Sequence, residues 1–184
     1  IYHTVKPLPQ GLDFTGQLRH ANVKFLADQT YMDTQGQQQV DQHIFKEVFQ
    51  LIDQAQTTIV LDMFLFNQEV GESKVKQFPL MQQLTDALIL KRKLYPAIQI
   101  VVITDPINSV YGGITPQHYR QLRQAGVDVI ETDLKPLRAS NPLWSGFWYI
   151  CCQNLGNNPE GGWLSNPFGN DKVTLRSYLE LFNF

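Results

Sequence analysis

Thr57-Thr-Ile-Val-Leu-Asp-Met-Phe-Leu-Phe66 is the stretch on which the reading of the fold turns. β-Branched and aromatic side chains fill it almost without a break. Apolarity this continuous fits a strand buried on both faces, as strands covered by helices usually are. Asp62 lies inside it, where a buried carboxylate is costly unless hydrogen-bonded or protonated, so a structural and a functional reading weigh equally there.

Ahead of this strand, the spacing of Ile44, Val48, Leu51, Ile52 and Ala55 predicts a helix over Gln38 to Ala55, with Phe45 and Phe49 widening the apolar stripe. Further upstream, Val23 to Ala27 reads as a short strand and Asp28 to Gly36 as a polar loop. Downstream, Asn67 to Gln77 reads as a loop, and Pro79 opens a helix from Leu80 to about Lys93 that Pro96 ends. Ile98 to Thr104 is a second buried strand, stopped by Asp105-Pro106. Thr115-Pro116 matches an N-cap with proline at the first helical position, and Gly126 fits the residue just past a helix end. Val127 to Glu131 is the next strand. This alternation predicts an α/β fold: a mixed, mostly parallel sheet with right-handed crossovers and helices on both faces. From Asp133 to Asp171 the periodicity dissolves into a long irregular stretch suited to a lid or binding loop. Leu175 to Phe184 reads as a final helix.

Composition bounds the function. The 184 residues, 43 % hydrophobic and 17 % charged, support one packed domain and exclude a fibrous or low-complexity chain. Fifteen Lys plus Arg against 17 Asp plus Glu leave a net charge of -2, so no basic surplus argues for specific or bulk nucleic-acid binding. Cys151 and Cys152 are adjacent; neighbours rarely bond to each other, so they predict no disulfide framework and no zinc site and read as small buried hydrophobes. No apolar run approaches the roughly 20 residues that span a bilayer, the longest candidate being Trp144 to Cys152. The opening Ile1, with no signal-peptide pattern behind it, and the apolar ending at Phe184 lead to the expectation of a chain cut from a longer one. On that expectation, residues 1–22 form an N-terminal extension and residues 23–184 a truncated domain.

The chemistry-bearing residues are few. Asp105 and Asp133 each follow a strand at its carboxyl end, where ligand crevices open, and two carboxylates there suit Mg²⁺; alternatively, Asp simply favours strand-ending turns and caps. His43 and His118 lack a metal-site partner and read as surface residues of their helices. Trp144, Phe147, Trp148, Tyr149 and Ile150 form the densest aromatic cluster, fit for packing a lid or for a lipid interface or acyl pocket. There is no Gly-x-Ser-x-Gly elbow, Walker loop or dinucleotide fingerprint.

Asp41-Gln-His-Ile-Phe-Lys-Glu-Val-Phe-Gln-Leu-Ile-Asp-Gln-Ala55, leading into the Thr57 strand, resembles the opening of the phospholipase D superfamily. Ile100-Val-Val-Ile-Thr-Asp-Pro106, Gly126-Val-Asp-Val-Ile130 and Leu175-Arg-Ser-Tyr-Leu179 extend the likeness toward the branch that includes cardiolipin-synthase-like proteins. The resemblance implies a phospholipase D-like half-domain, phosphodiester hydrolysis or phosphatidyl transfer without a cofactor or metal, a phospholipid or another phosphodiester such as a nucleic acid backbone as substrate, and a membrane-associated or cell-envelope location. That family works through two copies of His-x-Lys-x(4)-Asp, and no His-x-Lys occurs here: His43 has lysine three residues on, and His118 has arginine two on. The expectation is therefore a fragment that does not catalyse by itself and that self-associates through the surface left bare. Asp105, Asn108, Tyr111, Trp144 and Trp148 are expected to border the substrate pocket. The competing expectations are a Mg²⁺-dependent phosphotransfer enzyme using Asp105 and Asp133, and a non-catalytic module binding a membrane or a protein.

Overall fold

Three parallel strands carry the molecule. The computed structural model describes residues 2–12, 14–67 and 79–183. In chain order it contains α1 (Tyr2–Val5), β1 (Gln29–Met32), β2 (Gln38–Asp41), α2 (His43–Gln54), β3 (Thr58–Met63), α3 (Leu80–Leu94), β4 (Gln99–Thr104), a 3-10 turn (Pro106–Ser109), α4 (Gln117–Gln124), β5 (Asp128–Glu131), α5 (Pro142–Cys151), β6 (Leu164–Ser165), β7 (Lys172–Val173) and α6 (Leu175–Glu180). The main sheet has the order β3-β4-β5, with Leu61 opposite Val102 and Val102 opposite Val129. β1 with β2 and β6 with β7 form separate antiparallel pairs. The α/β class expected from the sequence is thus present.

Among the described residues the helices do not cover both faces of the sheet as expected. Ile59, Leu61, Ile100, Val102 and Val129 pack in one cluster with Ile52 of α2, Leu84 and Leu88 of α3, and Tyr119 and Leu122 of α4. Strands added in sequence order by right-handed crossovers put successive helices on the same side, which is why α3 and α4 share a face. Each fully buried Leu or Val contributes about 1.5–3 kcal/mol, so this single layer supplies most of the packing. On the other face Val60 is 61 % and Ile130 49 % exposed. Asp62, expected inside a doubly buried strand, lies on that bare face and is exposed. β3 is an edge strand, buried on one side only.

Other boundaries move for local reasons. Val23 to Ala27 forms no strand, and Val23 and Phe25 stand in solvent. The expected loop after it is instead the first arm of a hairpin, and Gln38 to Asp41 is its second arm, so α2 begins only at His43. Asp33 closes the hairpin by accepting hydrogen bonds from the backbone N–H groups of Gln35 (2.9 Å) and Gln37 (2.8 Å). Those bonds, with the Gln39 amide, hold its carboxyl below the usual range. Pro116, not Thr115, occupies the N-cap position of α4, and no side chain caps that helix. Gly126, at φ 81°, ends it as expected. The Asn67 to Gln77 loop lies, after Asn67, outside the described residues.

Within the stretch expected to be irregular, Pro142–Cys151 forms α5. Asn141 caps it, its side-chain oxygen accepting from Trp144 N–H at 3.3 Å, and Pro142 fills the first turn. The two cysteines at its end are bonded to each other, against expectation, and only Cys152 is buried; Cys151 is exposed. The final helix is shorter than read, Leu175–Glu180, started by Thr174 Oγ1 accepting from Ser177 N–H at 3.2 Å.

Candidate functional site

The carboxyl ends of β3, β4 and β5 deliver Phe64–Asn67, Asp105–Gly113 and Glu131–Lys135 to one edge, where crevices of open α/β sheets form. Asp105 ends β4 and accepts from Ile107 N–H at 2.8 Å, which starts the 3-10 turn. Past that turn Val110 and Tyr111 take left-handed conformations, φ 49° and 51°, and Gly112 follows at 76°. A β-branched residue there is an uncommon outlier, held by its surroundings.

Asn108 binds the strand exits together. Its side-chain oxygen accepts from Phe66 N–H (2.9 Å) and Asn67 Nδ2 (2.6 Å). Its amide nitrogen donates to Phe64 O (2.8 Å), Thr104 Oγ1 (2.8 Å) and Asp105 O (3.0 Å). Only 4 % of the residue is exposed.

His118, read from the sequence as a surface residue, is buried under the same edge, and its Nε2 lies 2.8 Å from Phe66 O. The carbonyl can only accept, so Nε2 carries the proton and Nδ1 keeps a lone pair. Burial lowers its pKa from the ordinary 6.5, partly opposed by the Phe66 bond. Because its folded pKa is depressed, the imidazole contributes stability above 6.5 that is lost as the pH falls below it. Glu131 and Glu180, pushed up from 4.5 by burial, act in the opposite sense, and their contribution is lost as the pH rises through their folded values. Thermal melts of His118→Gln are therefore expected to show a flatter loss of stability below pH 6.5 than wild type; an unchanged slope would contradict the burial of a neutral imidazole.

Asn108 and His118 line a cavity of about 550 Å³ together with Asn67, Arg120 and Lys172. Pro116 and Gln117, from the uncapped first turn of α4, line it as well, and so do the acidic residues Glu160 and Asp171. A second cavity of about 290 Å³ lies between the 3-10 turn and α6, lined by Tyr111, Glu131, Asp133, Lys135, Arg176 and Glu180 among others. Burial, reinforced by the negative charges of Asp105 and Glu180, pushes the Tyr111 hydroxyl up to about 12, so it stays protonated at neutral pH.

The expected pocket-border residues therefore divide. Asn108 lines the first cavity and Tyr111 the second, while Asp105 holds the turn between them. Trp144 and Trp148 line neither: Trp144 Nε1 donates to Leu179 O at 3.1 Å and Trp148 is buried, so both seat α5 against its surroundings. Asp133 accepts from Lys135 N–H at 3.0 Å, so both candidate Mg²⁺ carboxylates serve local turns. Among the described residues no group of three His, Cys, Asp or Glu side chains is arranged to hold a metal. Sequence reasoning missed Asn67, Arg120, Lys172 and the inward role of His118. Asn67 sits just past β3, on the edge where crevices open, and that position was the available signal.

These features define an α/β domain whose parallel strands deliver a polar crevice at their carboxyl edge. No family model, curated protein or solved structure matches the chain.

Proposed function

We propose that the chain forms the amino-terminal wall of a phospholipase D-like active site, in a phosphodiesterase or phosphatidyltransferase whose catalytic groups lie outside these 184 residues. The observation that carries the reading is the cavity of about 550 Å³ at the carboxyl edge of the sheet, lined by Arg120, Lys172, His118 and the first turn of α4, with Glu160 and Asp171 also in its lining. Cationic side chains and helix N-terminal N–H groups are the donors a phosphate diester takes. The reading rests on the sequence resemblance for its chemistry. One histidine of a His-x-Lys-x(4)-Asp motif attacks phosphorus to form a phosphohistidine, the other protonates the departing alcohol, and water or a second alcohol releases the phosphoryl group. No His-x-Lys occurs here, so the isolated chain holds substrate without turning it over. It self-associates through the bare sheet face around Val60 and Ile130.

The test is to express the chain alone and with the residues that follow Phe184 in its reading frame, and to assay both on bis(p-nitrophenyl) phosphate and on phosphatidylglycerol vesicles. Activity is expected only in the longer protein, and Arg120→Ala with Lys172→Ala should raise KM more than they lower kcat. Activity in the short chain, or none in a longer protein carrying the motif, would refute the proposal. For the Mg²⁺ alternative, Asp105→Asn is the deciding variant, since asparagine still accepts from Ile107 N–H and keeps the turn.

A further inference from the structure

We propose that α5 is a lipid-inserting helix: Leu143, Phe147 and Ile150 enter the interface of an anionic phospholipid membrane. These residues are 90 %, 54 % and 86 % exposed, values that nothing in the α/β core requires. Their spacing of four and three places them on one face of the helix. Trp144, Ser145 and Trp148 occupy the inner face, with Trp144 anchored to Leu179 O and Trp148 buried. The apolar face is thus held rigidly outward.

Charge selects the occupant. Pro142 to Cys151 contains no Asp, Glu, Lys or Arg, so the helix meets hydrocarbon without desolvating a charge. Arg138, exposed, stands just before it, and its Nε donates to Lys6 O at 3.1 Å, which keeps this cation beside α1; Lys135, also exposed, shares the second cavity with Glu131, Asp133 and Glu180, so Arg138 is the cation the carboxylates there do not offset. α1 also packs on α5, His3 stacking on Tyr149 at 3.7 Å, and leaves Tyr2 and Val5 exposed. An apolar face beside a cation complements anionic headgroups over acyl chains. A second copy on the same face would bring two such cations together, which disfavours that occupant. The proposal stands independently of the phosphodiester reading, because the helix and not the cavity meets the lipid.

The experiment is co-sedimentation of the 184-residue chain with vesicles of phosphatidylcholine alone and of equimolar phosphatidylcholine and phosphatidylglycerol. Binding is expected to the mixed vesicles and to weaken in high salt. Leu143→Ser with Ile150→Ser should weaken it about tenfold or more. Leu51→Ser, on the exposed side of α2, should leave it unchanged. As a readout that keeps an apolar side chain, Ile150→Trp should add fluorescence that brominated lipids quench. Absence of wild-type binding, binding indifferent to the double change, or no added quenching would overturn the proposal. So would sedimentation velocity showing that the double change converts a dimer to a monomer while vesicles are ignored. If vesicle binding fails while the longer protein still cleaves bis(p-nitrophenyl) phosphate, only the lipid-insertion proposal falls.

Discussion

Asn108→Leu is expected to destabilise the fold by about 3–5 kcal/mol and to lower the melting temperature by roughly 10 °C. Leucine matches the volume but makes none of the five hydrogen bonds of the native amide. The N–H of Phe66 and the oxygens of Phe64 and Thr104 then lose their partner at a nearly buried position, where unmade hydrogen bonds are costly. Asn108→Asp separates the loss of donors from the loss of acceptors. Its carboxylate still accepts from Phe66 and Asn67 but faces the carbonyls of Phe64 and Asp105 with no proton to donate. That carboxyl takes a raised folded pKa, so the variant should be most stable at low pH and lose stability as the pH rises. Melts of both variants against pH check the argument. A leucine variant as stable as wild type, or an aspartate variant that improves with rising pH, would show that Asn108 does not tie the strand exits.

Gly113→Ala is expected to cost about 2–3 kcal/mol. A Cβ built on Gly113 would lie 2.6 Å from both Cβ and Oγ of Ser177, and 3.0 Å from Val110 O. Relief requires the loop or α6 to retreat, and that joint is stitched by Asn157. Its Nδ2 donates to Tyr111 O (2.9 Å), and its oxygen accepts from Thr174 Oγ1 (2.6 Å) and Ser177 Oγ (2.8 Å). The same movement opens the wall between Tyr111 and Glu180, so the smaller cavity should lose its shape along with the stability. Ser177→Gly removes the opposing atoms, at a helix cost of about 1 kcal/mol. The double variant should therefore be more stable than the sum of the single changes predicts, by 1 kcal/mol or more as an order of magnitude. Additive losses would mean that Gly113 and Ser177 do not share the contact.

What the sequence made legible was periodicity. The α2 stripe, the apolar runs of β3 and β4, Pro79 before α3 and Gly126 after α4 each act within a few residues, and each lies where it was read. Helix placement around the sheet was not legible in the same way. Whether Asp62 faces a helix or solvent depends on strand order, which no local pattern encodes, and the order β3-β4-β5 left its face bare. α5 escaped because its exposed side is as apolar as its buried one, so no amphipathic contrast marked it; Asn141-Pro142 was the remaining cue. The site divided along the same line. Asp105 and Asn108 could be placed at an edge because they follow a strand directly. His118 was read outward because its partner, the Phe66 carbonyl, is 52 residues away in sequence.

Metal dependence separates the proposed phosphodiester crevice, with its histidine chemistry supplied from outside these 184 residues, from the Mg²⁺ alternative. The measurement is the rate of bis(p-nitrophenyl) phosphate cleavage by the protein extended through its reading frame, in EDTA and then with added Mg²⁺. Turnover is expected to be undiminished in EDTA and unchanged by Mg²⁺ and by Asp105→Asn, with an acid-labile phosphohistidine trapped on quenching. Turnover that stops in EDTA, returns with Mg²⁺ and disappears in Asp105→Asn would contradict the proposal and assign the edge to carboxylate-held metal.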